Sequence, residues 1–264
     1  MSSMLKRLAN RPGNSSKTTP FEPEPEKRPT PAKAMPGALI LINGFPGVGK
    51  HTVAHELVKI LPNCKFFDTR SLLSAASQLY QSDDPAHGHL RKNLKHAIFE
   101  SIARNYSVSS PTGPTPPTYV LTDFLSVAAR PTDLAIMHEF IAFARRSGFA
   151  FIHVILSASQ DENVRRLTDP AREEARAKGA LTISTDPSAL IQTRMEEEIG
   201  HIAPVSGLCG EYELDTTRMD ARTTAGVLGE YCLDTLRSEG WWLQLQSATA
   251  GHKSAAVTAG TGRK

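Results

Sequence analysis

The sequence predicts an α/β fold, with a parallel sheet of about five strands covered by helices on both faces. Three observations predict it. Short apolar runs of strand length alternate with helix-length amphipathic stretches across residues 37–240, the pattern of a sheet buried on both sides. The first run, Ala38–Ile42, leads into Gly44-Phe45-Pro46-Gly47-Val48-Gly49-Lys50 and then into the helical stretch that opens His51-Thr52-Val53-Ala54. A later run, Phe149–Leu156, is almost wholly apolar, as a strand covered on both faces must be.

In chain order, residues 38–43 are the first strand and 49–61 a helix closed by Pro62. Lys65–Asp68 is a short second strand. Helices follow at 69–80 and 87–105, separated by Ser82-Asp83-Asp84-Pro85. Residues 107–118 hold four prolines among Ser, Thr and Gly and are expected to form an irregular inserted loop. Tyr119–Asp123 is the third strand, 131–147 a helix stopped by Gly148, and 149–156 the fourth strand. Helices at 160–168 and 186–200 flank a charged segment, Tyr212–Asp215 is the last strand and 220–238 the last helix. In such sheets, ligands sit at the carboxyl ends of the strands.

The chain has 264 residues and a formal charge of +3. Residues 1–36 alone carry +4 and residues 252–264 carry +3, which leaves about −4 for the rest. The basic character thus belongs to the ends, and a nucleic-acid-binding face is not expected. Three scattered cysteines make neither a disulfide framework nor a zinc site. No apolar stretch is long enough to span a membrane, so no membrane partner is expected. The proline-rich leader 1–36 and the Ala/Thr/Ser/Gly-rich tail 244–264 are expected to be disordered around one domain, 37–243. A cytoplasmic location is expected, with organelle import through the basic N-terminal tail as the alternative.

Function is most legible at residues 44–52. Gly44, Gly47 and Gly49 let the backbone curl around an anion with its N–H groups inward. Lys50 reaches the β- and γ-phosphates, and the helix start adds a favourable dipole. Gly44, Phe45, Pro46, Gly47, Val48, Gly49, Lys50, His51 and Thr52 are therefore the expected nucleotide-binding residues, and a nucleoside triphosphate the expected ligand. The pattern departs from its usual form at His51, where a serine or threonine hydroxyl would ligate Mg²⁺. Imidazole suits Mg²⁺ poorly, so the ion is expected to be held by ATP, water and Asp123.

Asp123 closes the third strand and stands where an acid places Mg²⁺; the alternative is a turn aspartate. Asp68 closes the second strand and is a candidate base for a substrate hydroxyl, with a helix cap as the alternative. Residues 165–185 are dense in charge and suit a lid, with Arg165, Arg166 and Arg172 directed at developing phosphate charge; the alternative is a solvated helix. His87-Gly88-His89 reads as a solvated helix entry and not as a metal site.

Residues from Leu39 to about Leu236 resemble the small phosphate-loop kinase-like proteins grouped as AAA family ATPase or AAA domain. The resemblance rests on Gly44–Ala54, on Arg165-Arg166 followed by Asp-Pro-Ala-Arg172 and Lys178-Gly179, and on Leu214-Asp215-Thr216-Thr217. It is closer to nucleoside, shikimate and chloramphenicol kinases than to ring-forming motors. It implies ATP and Mg²⁺ as cofactors, an Asp after the second strand as base, and transfer of the γ-phosphoryl group to a small hydroxylated acceptor. An ATPase, or a nucleotide-switched interaction module without an acceptor, is the alternative.

Overall fold

The computed structural model describes residues 37–81, 83–106, 116–177 and 186–238, without the side chains of residue 173 and residues 175–177. The leader, most of the proline-rich loop, residues 178–185 of the expected lid and Trp241-Trp242 with the tail lie outside the described residues.

The strands are β1 (Ala38–Gly44), β2 (Cys64–Phe67), β3 (Thr118–Thr122), β4 (Ala150–Ser157) and β5 (Leu208–Asp215). They form one sheet in the order β2-β3-β1-β4-β5, every pairing parallel. The helices are α1 (Lys50–Ile60), α2 (Arg70–Ser77), α3 (Pro85–Asn105), α4 (Pro131–Ser147), α5 (Gln160–Leu167), α6 (Pro170–Ala177), α7 (Pro187–Glu196) and α8 (Ala221–Arg237).

Side-chain alternation along β1 sorts the core into two halves. Ile40 and Ile42 pack with Val53, Ala54 and Leu57 of α1 and with Ala225, Leu228 and Cys232 of α8. Leu39 and Leu41 face the other way, onto Phe99 of α3 and Met137, Phe140 and Ala144 of α4. Because both faces are covered, all seven residues of β1 are buried. The crossover from β1 to β3 passes through α1, β2, α2 and α3, and β1 occupies the centre between β3 and β4, its carboxyl end running into the 44–50 loop.

The helices expected over 69–80 and 186–200 end early, at Ser77 and Glu196, and the sequence expectations differ from the structure more markedly in three places. β5 begins at Leu208, four residues before the expected start. The charged segment after α5 contains a further helix, α6, capped by Asp169, whose Oδ1 accepts from Ala171 N at 2.9 Å. His87 is buried and hydrogen-bonded to Ser77 Oγ at 3.1 Å, so it ties α3 to α2 and is not the solvated helix entry that was expected.

Candidate nucleotide site

The 44–50 loop connects β1 to α1. Gly47 has φ +83, and a Cβ there would lie 2.8 Å from Asn163 Nδ2. Gly49 has φ +103 and occupies the N-cap of α1, where no side chain caps the first turn. The early N–H groups of α1 are thus left for an anion instead of a capping oxygen. Lys50 Nζ folds back onto the loop, donating to Gly44 O at 2.5 Å and Phe45 O at 2.9 Å. Burial lowers its pKa to about 7, opposed by the negative charge of Asp123 and reinforced by Arg172 and Arg70.

Polar side chains that the sequence reading did not single out brace the loop. Asn43, fully buried at the end of β1, accepts through Oδ1 from Gly44 N and Leu125 N, both at 2.9 Å, and donates through Nδ2 to Leu125 O at 2.9 Å. It joins the loop to the segment after β3. Asn163 of α5 donates to Pro46 O at 2.8 Å and accepts from Arg194 of α7 at 3.0 Å. The Arg194 guanidinium lies 4.9 Å from the Phe45 ring centre. Asn43 carried a signal, since a polar residue closing an apolar strand must find partners if buried. Asn163 and Arg194 carried none, because their roles depend on contacts more than a hundred residues from the loop.

The expected lid arginines part company. Arg166 is a brace: Nε donates to Glu162 Oε1 at 2.7 Å, Nη1 to Val48 O and Thr216 Oγ1 at 3.0 Å each, and Nη2 to Thr216 O at 2.6 Å. Among the described residues Arg165 pairs with Glu162, and it is two-thirds exposed. The side chain of Arg172, near the start of α6, has no hydrogen-bond or ion-pair partner among the described residues. Burial lowers its pKa, and the positive charge of Arg70 lowers it further.

Asp68 follows β2. Its carboxylate accepts from Arg70 Nε at 2.8 Å, from Arg70 Nη2 at 2.6 Å and from Arg70 N at 3.1 Å. His51 Nε2 lies 3.4 Å from its Oδ2. Burial alone would raise this carboxyl; the His51 and Arg70 donors together hold it well below the usual carboxylate range. His51 is therefore turned toward β2. Its ring packs edge-on against His55 at 4.5 Å and Phe66 at 5.1 Å.

Asp123 follows β3. Its Oδ1 accepts from Phe124 N at 2.9 Å. Burial pushes its carboxyl up, against the Phe124 N–H and the positive field of Arg91, Lys50 and Lys95. A carboxylate sunk among cations with no ion pair in contact fits a divalent cation beside the loop. His51, facing Asp68, does not contribute to such a site. Among the described residues no cluster of three or more His, Cys, Asp or Glu forms a metal cage, so the fit is to a metal that arrives with phosphate oxygens. Thr52 is exposed on the first turn of α1 and lines the cleft.

A cleft of about 1040 Å³ opens over the loop, between α5, α6 and the segment after β5. Its lining carries six Lys or Arg side chains against three carboxylates, a balance that favours a polyanion.

No protein-family model matches the chain, and no curated protein sequence matches it. Among solved structures, a candidate kinase from Chloroflexus aurantiacus superposes with a TM-score of 0.50 at 16% identity, over 77% of this chain and 100% of that one. Shikimate kinase from Acinetobacter baumannii, in complex with shikimate, gives 0.44 at 13%, over 77% and 97%. A sugar kinase from Janibacter gives 0.43 at 14%, over 76% and 95%. The similarity is one of fold: a five-stranded parallel sheet ordered 2-3-1-4-5, as in small P-loop kinases.

Proposed function

We propose that this chain binds ATP with Mg²⁺ and transfers the γ-phosphoryl group to a small hydroxylated acceptor. The observation that carries the reading is the meeting of three cations at the mouth of the glycine loop. Lys50, Arg70 and Arg172 line one cleft, where the charges of Arg172 and Arg70 add to burial in lowering the Lys50 pKa and Arg70 lowers that of Arg172, and such a cluster is stabilised by the charge of a triphosphate.

In this reading the loop amides and Lys50 hold the β- and γ-phosphates, and Thr52 meets the α-phosphate. Asp123 is the residue that would hold Mg²⁺, which supplies charge neutralisation to the phosphates. Arg172, on α6, meets the charge that develops during transfer. Arg166 and Arg165 support the cleft wall. Asp68, expected from the sequence to take the acceptor's proton, is a weak base while Arg70 and His51 hold it ionised.

The test is a screen of pooled metabolites with the protein, ATP and Mg²⁺, followed by mass spectrometry. A metabolite gaining one phosphoryl group, with ADP release stimulated by that metabolite, supports the kinase. ADP release at the same rate with every pool supports the ATPase reading, which the replacement of the usual hydroxyl by His51 keeps open. ATP binding without release supports a nucleotide-switched module.

A further inference from the structure

We infer that His51 is the general base of the proposed phosphotransfer and that Asp68 orients it. The inference rests on the phosphotransfer reading above. Histidine stands at the loop position where a small hydroxyl would normally meet the metal, yet the structure gives it a different set of partners. Its Nε2 faces the Asp68 carboxylate at 3.4 Å, and that carboxylate is itself pinned by the Arg70 guanidinium at 2.6 Å. An ionised carboxylate facing Nε2 selects the tautomer with the proton on Nε2. This leaves Nδ1 as an acceptor, and Nδ1 makes no hydrogen bond among the described residues.

The ring plane is fixed as well. His55 and Phe66 pack edge-on against it at 4.5 and 5.1 Å, and they pack against each other at 4.8 Å. Yet the side chain is 40% exposed and lines the cleft, so a substrate can reach it. A base, a carboxylate that orients it and a third group that holds the carboxylate ionised make the arrangement by which a neutral imidazole withdraws a hydroxyl proton. Lys50, the residue before His51, directs its ammonium into the same loop. His51 lines the same cleft as Lys50, Arg70 and Arg172, the cleft in which an acceptor hydroxyl would meet the γ-phosphate.

The step balances without a further reactant. The acceptor's O–H proton passes to His51 Nδ1, and the acceptor oxygen forms a bond to the γ-phosphorus. The bond from that phosphorus to the β,γ-bridging oxygen breaks, and ADP leaves with the electron pair. The imidazolium is stabilised by Asp68 until it loses the proton to water. Asp68 touches no reacting atom in this scheme and acts as a positioning residue.

The test uses the full chain and ADP release from MgATP, with water as the acceptor probe and with pooled hydroxylated metabolites. Three variants are compared. His51→Gly is expected to slow release about 100-fold or more, with ATP affinity by calorimetry within a few-fold of the parent. Free imidazole is expected to restore part of the rate, since the vacated side chain was open to the cleft. His51→Gln keeps a donor for Asp68 but has no proton-accepting nitrogen; it is expected to be as slow as His51→Gly. Asp68→Asn is expected to be slowed less, because the imidazole remains. Nitrogen NMR of the His51 ring, independent of turnover, is expected to show the Nε2–H tautomer in the parent and loss of that preference in Asp68→Asn. His51→Gln turning over within a few-fold of the parent overturns the inference, and so does an absence of imidazole rescue in an ATP-binding His51→Gly. An Nδ1–H tautomer, or one indifferent to Asp68→Asn, overturns it even if the parent releases no ADP. A parent that neither binds ATP nor releases ADP instead sinks the phosphotransfer reading.

Discussion

The two walls of the cleft are built on opposite terms. On the inner wall, side chains and carbonyls of residues 43–50 are matched inside the protein: Asn43 by Gly44 and Leu125, Pro46 by Asn163, Val48 by Arg166, Lys50 by the loop's own carbonyls. On the outer wall stand Arg172, whose side chain has no partner among the described residues, and Arg70, which pairs with Asp68. In the proposed reading the inner wall is a phosphate seat prepared before any ligand arrives, which lowers the ordering cost of binding. The outer wall holds its charge in reserve for a group that comes and goes. A site for transfer needs both: a fixed end for the part of the substrate that stays put and an adaptable end for the part that changes charge.

This contrast is broken most severely by removing an inner brace. Asn43→Leu keeps the volume but strands Gly44 N, Leu125 N and Leu125 O, all buried. At about 1 kcal/mol or more for each orphaned group, unfolding in urea is expected to show a loss of about 3 kcal/mol. A loss under about 1 kcal/mol would mean that the loop re-forms its bonds and that the inner wall is not rigid.

Lys50 lies between the two regimes, matched by carbonyls yet poised for phosphate. Lys50→Met is expected to weaken ATP binding by about 1.5–3 kcal/mol, the size of a bond to a charged group, read by calorimetry. The pH dependence has a definite sign. With the folded-state pKa lowered to about 7 from its ordinary 10.5, the unfolded chain binds more protons across that window. The parent's stability relative to Lys50→Met therefore rises with pH between the two values and is flat below the lower one. Near pH 8, ATP restores the ammonium and takes up a proton, so the calorimetric enthalpy is expected to depend on the buffer's ionisation heat in the parent and much less in Lys50→Met.

The same contrast explains what could be read from the sequence. β1, the glycine loop and α1 are contiguous, and their pattern is local: an apolar strand, backbone-permissive glycines, an amphipathic helix. The place of Asp123 at the end of β3 was legible because an acid closing a buried strand is itself a local signal. The first half of β5 was not, since it is an edge strand that leaves most of its side chains half-exposed and carries Gly210 and Glu211, so neither apolar content nor alternation marks it. α6 was hidden by its charge. The division of labour between Arg166 and Arg172 was beyond reach for a different reason. Both are arginines in one charged stretch, and only the meeting of α5 with Val48 and Thr216, some fifty or more residues away in each direction, fixes one as a brace.

That division gives the smallest expected effect on stability and the sharpest contrast. Arg172→Ala removes no hydrogen bond among the described residues and relieves the repulsion of Arg70. Folding stability is therefore expected to change by no more than about 0.5 kcal/mol. Arg166→Ala leaves Val48 O without a donor and removes one of the donors to Thr216 O and Glu162, and is expected to cost about 2 kcal/mol. In ADP release the order reverses. Arg172→Ala is expected to lower the maximal rate while ATP affinity stays within a few-fold, because a contact made only as charge develops on the transferring group acts on the transition state. Loss measured for Arg166→Ala is expected to fall mainly on affinity, through the disturbed loop. If Arg172→Ala instead unfolds as easily as Arg166→Ala, α6 is part of the braced wall and the two sides of the cleft are not built differently.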